Sequence, residues 1–139
     1  MTTAGAQNIN WLLSNFLERT PGVEECIAVS SDGLLMASAA TMDRASADKM
    51  AAIVTGMRSL ADGASRVLHR GGLSQIIIEM GSAYLFVSAI SGGANLGVVT
   101  ARDCDLGLVG YEITLLVQRV GVQLTPELID ELKSSLIGV

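Results

Sequence analysis

Three short apolar runs follow one another between Gly71-Gly72 and Ala101: Leu73 to Met80, Ala83 to Ile90 and Asn95 to Ala101. The links between them are only Gly81-Ser82 and Ser91-Gly92-Gly93-Ala94. Runs of this length, bounded by glycine and serine, read as strands, and links this short fold them back on one another as an antiparallel meander. No other segment limits the architecture so strongly. In the first of these strands Ile76, Ile77 and Ile78 are consecutive, so both of its faces are apolar, which is unusual for an edge open to water. If that strand is an edge, something covers it.

A second set of strands is spelled by Val23 to Ser30 and Leu34 to Ala40, separated by Ser31-Asp32-Gly33. Two serines beside an aspartate could be a nucleophile awaiting a base. They are also what a hairpin turn requires: short polar side chains that bond their own backbone, and a glycine for positive φ. A hydrolase would need a base and an oxyanion hole, and the one histidine, His69, lies at the far end of a long helical segment. The turn reading is the one adopted.

Helical periodicity fills the intervals. Ile9, Leu12, Leu13, Phe16 and Leu17 mark one face of a helix from Gln7 to Arg19, stopped by Thr20-Pro21-Gly22. Asp43 can cap the longest helix, which runs to about His69, with Arg66, His69 and Arg70 suited to its carboxyl end. Met50, Ile53, Val54, Met57, Leu60, Ala61, Ala64, Val67 and Leu68 form an apolar stripe expected to cover the sheet. At 100° per residue, Ala52, Gly56, Ser59 and Gly63 fall on nearly the opposite side. Each internal glycine costs ~1 kcal/mol relative to alanine, so this stripe asks for a close neighbour, most simply another helix. Asp103 or Asp105 can cap a third helix whose core face is Leu106, Val109, Ile113, Leu116, Val117 and Val120, with Leu108, Tyr111 and Leu115 to one side. Thr125-Pro126-Glu127 starts a last helix with Leu128, Ile129, Leu132 and Leu136 on its apolar side.

Composition narrows the functions available. The 139 residues suit one domain, spanning 1–139 without linker or repeat, and the mean hydropathy of +0.48 favours an oligomer that covers apolar surface. The longest apolar stretch, Tyr84 to Ile90, is far short of the ~20 residues that span a bilayer. The amino-terminal MTTAGAQNIN has no signal-peptide pattern, so a cytoplasmic protein with reduced cysteines is expected, Cys26 in the core and Cys104 at a helix start. A net charge of −5, with Lys49 and Lys133 the only lysines, argues against nucleic acid as a partner. There is no GxxxxGK[ST] loop, SGGANLG at 91–97 fails GxGxxG, and one histidine with two remote cysteines makes no usual zinc site. Glu24-Glu25 and Asp103 with Asp105 sit where solvated charge and capping explain them. No catalytic residue, cofactor or metal is expected.

The element order α-ββ-α-βββ-α with an extra C-terminal helix, together with PGVEECIAVSSDGLLMASAA at 21–40 and DCDLGLVGYEI at 103–113, resembles the Roadblock family of dynein light chains and its bacterial MglB-like branch. The resemblance covers a core of about residues 7–122 and leaves the helix at about 126–137 outside it. It implies an α/β fold of the α+β type: a five-stranded antiparallel sheet, order 2-1-5-4-3, with the long helix on one face and the first and third helices on the other. It also implies a homodimer in which strand three pairs with its copy and the long helices run antiparallel. That would place Ile76, Ile77 and Ile78 at the covered edge and Ala52, Gly56, Ser59 and Gly63 in the helix contact.

The MglB-like branch resembles regulators of small Ras-like GTPases, associated also with a sensor-kinase-like protein. Family members that accelerate GTP hydrolysis do so without an arginine finger, and Arg44 and Arg102, near element ends, read as solvated charges. The implied function is a non-catalytic adaptor or regulator of such a GTPase, possible docking residues being Arg44, Asp48, Thr55, Arg58 and Asp62. The alternative is a scaffold that links a sensor-kinase-like protein to a complex without touching nucleotide turnover. A small-molecule-sensing domain would need convergent polar groups in a cavity, and the aliphatic stripes argue against it.

Overall fold

The computed structural model describes residues 4–39 and 41–137. Its elements are α1 (Ala4–Arg19), β1 (Val23–Val29), β2 (Leu35–Ala39), α2 (Arg44–Leu68), β3 (Gln75–Glu79), β4 (Ala83–Ala89), a 3-10 turn at Ser91–Gly93, β5 (Asn95–Ala101), α3 (Leu106–Gln123) and α4 (Pro126–Ile137). All strand pairs are antiparallel and the sheet order is β2-β1-β5-β4-β3, as the resemblance implies. Ala40, the expected end of the second strand, and the side chain of Leu136 lie outside the described residues, as do residues 1–3.

Each face of the sheet buries its own core. Ile9, Leu13, Phe16, Phe86, Ile113 and Leu132 belong to the cluster beneath α1, α3 and α4. Ile27, Val29, Leu35, Leu85 and Val87 pack with Ala47, Ala51 and Val54 of α2 on the other side. At ~25 cal/mol per Å2 of buried apolar surface, these two layers supply the main drive to fold.

The β1–β2 turn settles the reading of its serines. Ser30 is buried, its Oγ accepts from the backbone N–H of Leu34 at 3.1 Å and donates to the Asp32 carboxylate, and Gly33 takes φ +85°. Asp32 in turn accepts from Lys133 Nζ of α4 at 3.1 Å. The Ser30 hydroxyl first, and then the Lys133 ammonium, hold the Asp32 carboxyl below its ordinary 3.8. A depressed carboxyl stabilises the fold above its unfolded pKa and loses that contribution as pH falls through the folded value. The α4–hairpin tie should therefore loosen only in acid below pH ~4, read as increased amide exchange in α4.

The caps also follow sequence. Asp43 accepts from the Ser46 N–H at 2.9 Å, Asp105, not Asp103, accepts from that of Leu108 at 3.1 Å, and Thr125 accepts from that of Leu128 at 3.1 Å. Leu106, expected in the core, sits exposed in the first turn of α3. In α4, Leu132 is buried and Leu128 and Ile129 pack against the α1 side of the core, so this helix covers its own chain's sheet beside β2.

His69 closes α2 at φ +53°, the one non-glycine residue with positive φ among those described. A left-handed closing position favours glycine, so His69→Gly should raise the unfolding free energy by about 0.5–1 kcal/mol. Urea denaturation would show it as a higher midpoint. A lower one would mean that the imidazole makes a contact worth more than the relief of strain.

The expected sheet-covering stripe on α2 needs correction. Its buried residues are Ala47, Ala51 and Val54, all in the first half of the helix, with Met50 and Met57 partly packed. Ile53, Leu60, Val67 and Leu68 are exposed, Leu60 at 79% and Val67 at 78%. The reason is length. A helix of 25 residues is about 37 Å long, whereas strands of five to seven residues reach only about 17–23 Å. The second half of α2 outruns the sheet, and beyond Met57 its large apolar side chains belong to neither core among the described residues.

Candidate partner-binding surfaces

Around the axis of α2 three surfaces can be told apart. Val54 points to the sheet. Ile53, Leu60 and Val67 recur every seven residues and lie about 100–140° to one side of it. Ala52, Gly56, Ser59 and Gly63 adjoin them on the outer face. On the other flank are Arg44, Asp48, Thr55 and Asp62, with Arg58 closer to the sheet.

The seven-residue row and the small residues together have the form of a helix-pairing seam. Large side chains at Ile53, Leu60 and Val67 alternate with Gly56 and Gly63, which is knobs beside holes. A side chain built at Gly56 would meet nothing within 4 Å, and one at Gly63 only the tip of Arg66 at 4.0 Å. Nothing among the described residues requires glycine at either place.

Next to this seam lies the open edge. Among the described residues β3 pairs with β4 alone, Ile77 opposite Phe86, which leaves its other edge without a strand partner. Ile76 and Ile78 pack partly against the core beneath α2, while Ile77, on the opposite face, is 52% exposed. The seven residues expected at a dimer contact are thus accessible or half-buried on α2 and β3.

The five expected docking residues share the polar flank but are not equally available. Arg44 Nε bonds Asp48 at 3.0 Å, and both side chains are exposed. Thr55 Oγ1 donates to the Ala51 carbonyl at 3.0 Å. Arg58 turns inward: its Nε bonds Asp62 at 3.1 Å, and its Nη1 reaches Asn95 Oδ1 at 2.7 Å and the Ala94 carbonyl at 3.4 Å. It ties α2 to the β4–β5 turn, and only Asp62 of that pair has oxygens left for a partner.

Two further arrangements escaped the sequence reading. Glu25 is not merely solvated, since its carboxylate accepts from the Thr41 N–H and Oγ1, each at 2.8 Å, and so fastens the start of the β2–α2 link. Arg102 lies over the Tyr84 ring at 4.9 Å, bridges to Glu79 at 2.5 Å and donates to the Met80 carbonyl at 3.1 Å. These contacts join residues far apart in sequence, and only alternation on β3 and β4 hinted that Glu79 and Tyr84 would share a face.

Among the described residues no group of three or more histidine, cysteine, aspartate or glutamate side chains could hold a metal ion. Cys26 is buried, which pushes its thiol far above the ordinary range, and Cys104 is half-buried beside Gly22. No described helix is long and apolar enough to cross a membrane.

Residues 9–100 match the family described as the Roadblock/LC7 domain. A Roadblock/LC7 domain from Streptomyces avermitilis superimposes with a TM-score of 0.76 at 36% identity, over 80% of this chain and 92% of that one. MglB of Myxococcus xanthus gives 0.77 at 16% identity, over 83% and 93%. The gliding protein MglB of Thermus thermophilus gives 0.79 at 15%, over 88% and 93%. No curated protein matches the sequence closely enough to count as a relative. The two MglB proteins share the fold; the Streptomyces domain shares sequence as well.

Proposed function

The chain belongs to the Roadblock/LC7 domain family, and from that premise we propose that it is a non-catalytic, cytoplasmic homodimer that binds and regulates a small Ras-like GTPase. The observation that carries the dimer is the α2 surface: an apolar row at seven-residue spacing beside two glycines that nothing in the chain occupies, next to the open edge of β3. Antiparallel pairing about Leu60 sets Ile53 against Val67 and Met57, only partly packed on the core, against Gly63. Ala52, Gly56 and Ser59 allow the close approach, and Ile76, Ile77 and Ile78 are covered when β3 meets its copy.

The GTPase follows from the MglB-like resemblance. With the apolar flank of each α2 used in pairing, the polar flank stays open on both sides of the pair. Arg44, Asp48, Thr55 and Asp62 are the docking residues, and Arg58 holds Asp62 in place. No residue supplies an arginine finger in this reading; the GTPase keeps its own catalytic groups, and a sensor-kinase-like protein is a further partner of the assembly.

The test is capture from native cytosol with GDP in one arm and a non-hydrolysable GTP analogue in the other. A small GTPase enriched only with the analogue supports the regulator. Identical partners in both arms, none a GTPase, favour the scaffold. Once a GTPase is in hand, Arg44→Ala with Asp48→Ala should weaken its binding roughly tenfold while the dimer mass is unchanged. Unaltered affinity would move the docking site off this flank.

A further inference from the structure

The carboxyl end of α2 gathers three basic side chains, Arg66, His69 and Arg70, in a chain whose net charge is −5. All three are exposed, and no ion pair engages them among the described residues. The helix end does not need them as caps. Its last carbonyls, those of Ser65 and Arg66, already accept from the backbone N–H groups of Arg70 and His69, each at 3.2 Å. Arg66 alone puts a positive charge in the last turn, where the helix dipole favours one. His69 goes further, since it keeps an imidazole at φ +53°, where glycine would sit without strain.

Arg66 and His69 border a cavity of about 370 Å3, with Asp62, Gly71, Gly72 and Leu73 on its wall. Asp62 is already bonded by Arg58 at 3.1 Å, so the acid does not neutralise the other two. Gly71 turns the chain at φ +87°, but Gly72 has no positive φ, and a Cβ added there would meet nothing within 4 Å. Backbone bare of side chains at this wall admits close approach by a ligand.

The chemistry of the wall selects an anion of more than one charge. A carboxylate brings a single charge and two oxygens, whereas a phosphate monoester brings about −1.5 to −2 near pH 7 and three acceptor oxygens, enough for a guanidinium fork, an imidazole N–H and a backbone N–H together. The cavity is larger than a phosphate ion fills, and half-buried Leu73 with exposed Leu68 offers apolar contact to whatever carries the phosphate. At 100° per residue Arg66 falls on the flank of Asp48, Thr55 and Asp62, across the helix from Ile53, Leu60 and Val67, so pairing through those three leaves it open.

We propose that the carboxyl end of α2 binds a phosphorylated side chain of a partner protein, with Arg66 gripping two phosphate oxygens, His69 donating to the third and the backbone of Gly71 and Gly72 closing on it. Arg70 adds to the local positive field. The site depends on neither the α2 seam nor the GTPase reading.

Amide-resolved magnetic resonance titration of the isotope-labelled full chain tests this with N-acetyl-phosphoserine methylamide, the same compound carrying glutamate instead, and inorganic phosphate. The phosphoserine compound should shift the amides of Arg66 to Leu73 saturably and bind about tenfold more tightly than either of the others. Arg66→Ala should weaken it about tenfold, and Arg66→Lys, which keeps the charge but not the fork, should restore it only in part. His69→Gly should weaken it about fivefold in a chain that has become more stable, so that loss is not a failure to fold. Shifts that are absent or spread over the whole surface, equal affinity for the glutamate compound, or binding untouched by Arg66→Ala and His69→Gly would each overturn the site. Inorganic phosphate bound as tightly as the phosphoserine compound would overturn the partner-borne ligand and leave free phosphate in its place.

Discussion

Leu60→Asp is expected to yield a folded monomer, the largest effect on assembly of any single exposed position. Leu60 is 79% exposed in the isolated chain and touches neither core, so far-UV circular dichroism should be unchanged. In the proposed antiparallel pair it lies at the two-fold axis, and one substitution removes two buried leucines. At ~1.5–3 kcal/mol each, the loss is about 3–6 kcal/mol, or a rise in dimer Kd of roughly a hundredfold to ten-thousandfold. Sedimentation equilibrium reads it directly. Gly56→Ala then asks a question of sign. In a lone helix it should stabilise by ~1 kcal/mol, since no atom lies within 4 Å of the added carbon. In the pair it fills a hole, so monomer stability should rise while association weakens. If the mass distribution stays as in the wild type, the glycine is merely tolerated and the seam runs elsewhere.

What the sequence disclosed of the fold follows from how local each signal is. Strand limits, the hairpin at Ser31-Asp32-Gly33 and the caps Asp43 and Thr125 are set by neighbours within four residues, and the structure agrees with them. The apolar face of α2 departs from its sequence reading for a physical reason: side chains that face a sheet and apolar side chains left exposed beyond its end share the same periodicity. Comparing the length of the helix with that of the strands was the signal available, because the sheet cannot reach Leu60 or Val67. Arg58 was beyond sequence reasoning. Its partner Asn95 is 37 positions away, and a solvated arginine on a helix looks the same in a sequence as one drawn onto a turn. The Lys133–Asp32 tie, 101 positions apart, is of the same kind. The stripe Ala52, Gly56, Ser59 and Gly63 stands out in the sequence because internal glycines are costly, and the space beside Gly56 and Gly63 is open in the structure.

Gly22→Ala should be the most destabilising conservative change in the chain, and the cause can be divided by a second substitution. Gly22 ends the turn after α1 at φ +89°, a conformation that carries a strain of ~1–2 kcal/mol for a residue with a side chain. An added Cβ would also stand 2.7 Å from the Cβ of Cys104 and 3.4 Å from its Cα, closer than packed carbons tolerate. Neither atom is the end of a flexible side chain. Relief requires moving the β5–α3 link away from β1, where the Ala101 N–H donates to the Gly22 carbonyl at 2.7 Å. Overpacking of this kind costs about 1–3 kcal/mol, so the total is about 3 kcal/mol, a fall in Tm of roughly 10 °C for a chain of this size. Cys104→Ala leaves the clashing Cβ in place and should rescue nothing. Cys104→Gly removes it, and in the Gly22→Ala background should cost less than it does in the wild type. Additive costs in that double-mutant cycle would mean that backbone strain at Gly22 carries the whole effect and that the packing against Cys104 yields freely.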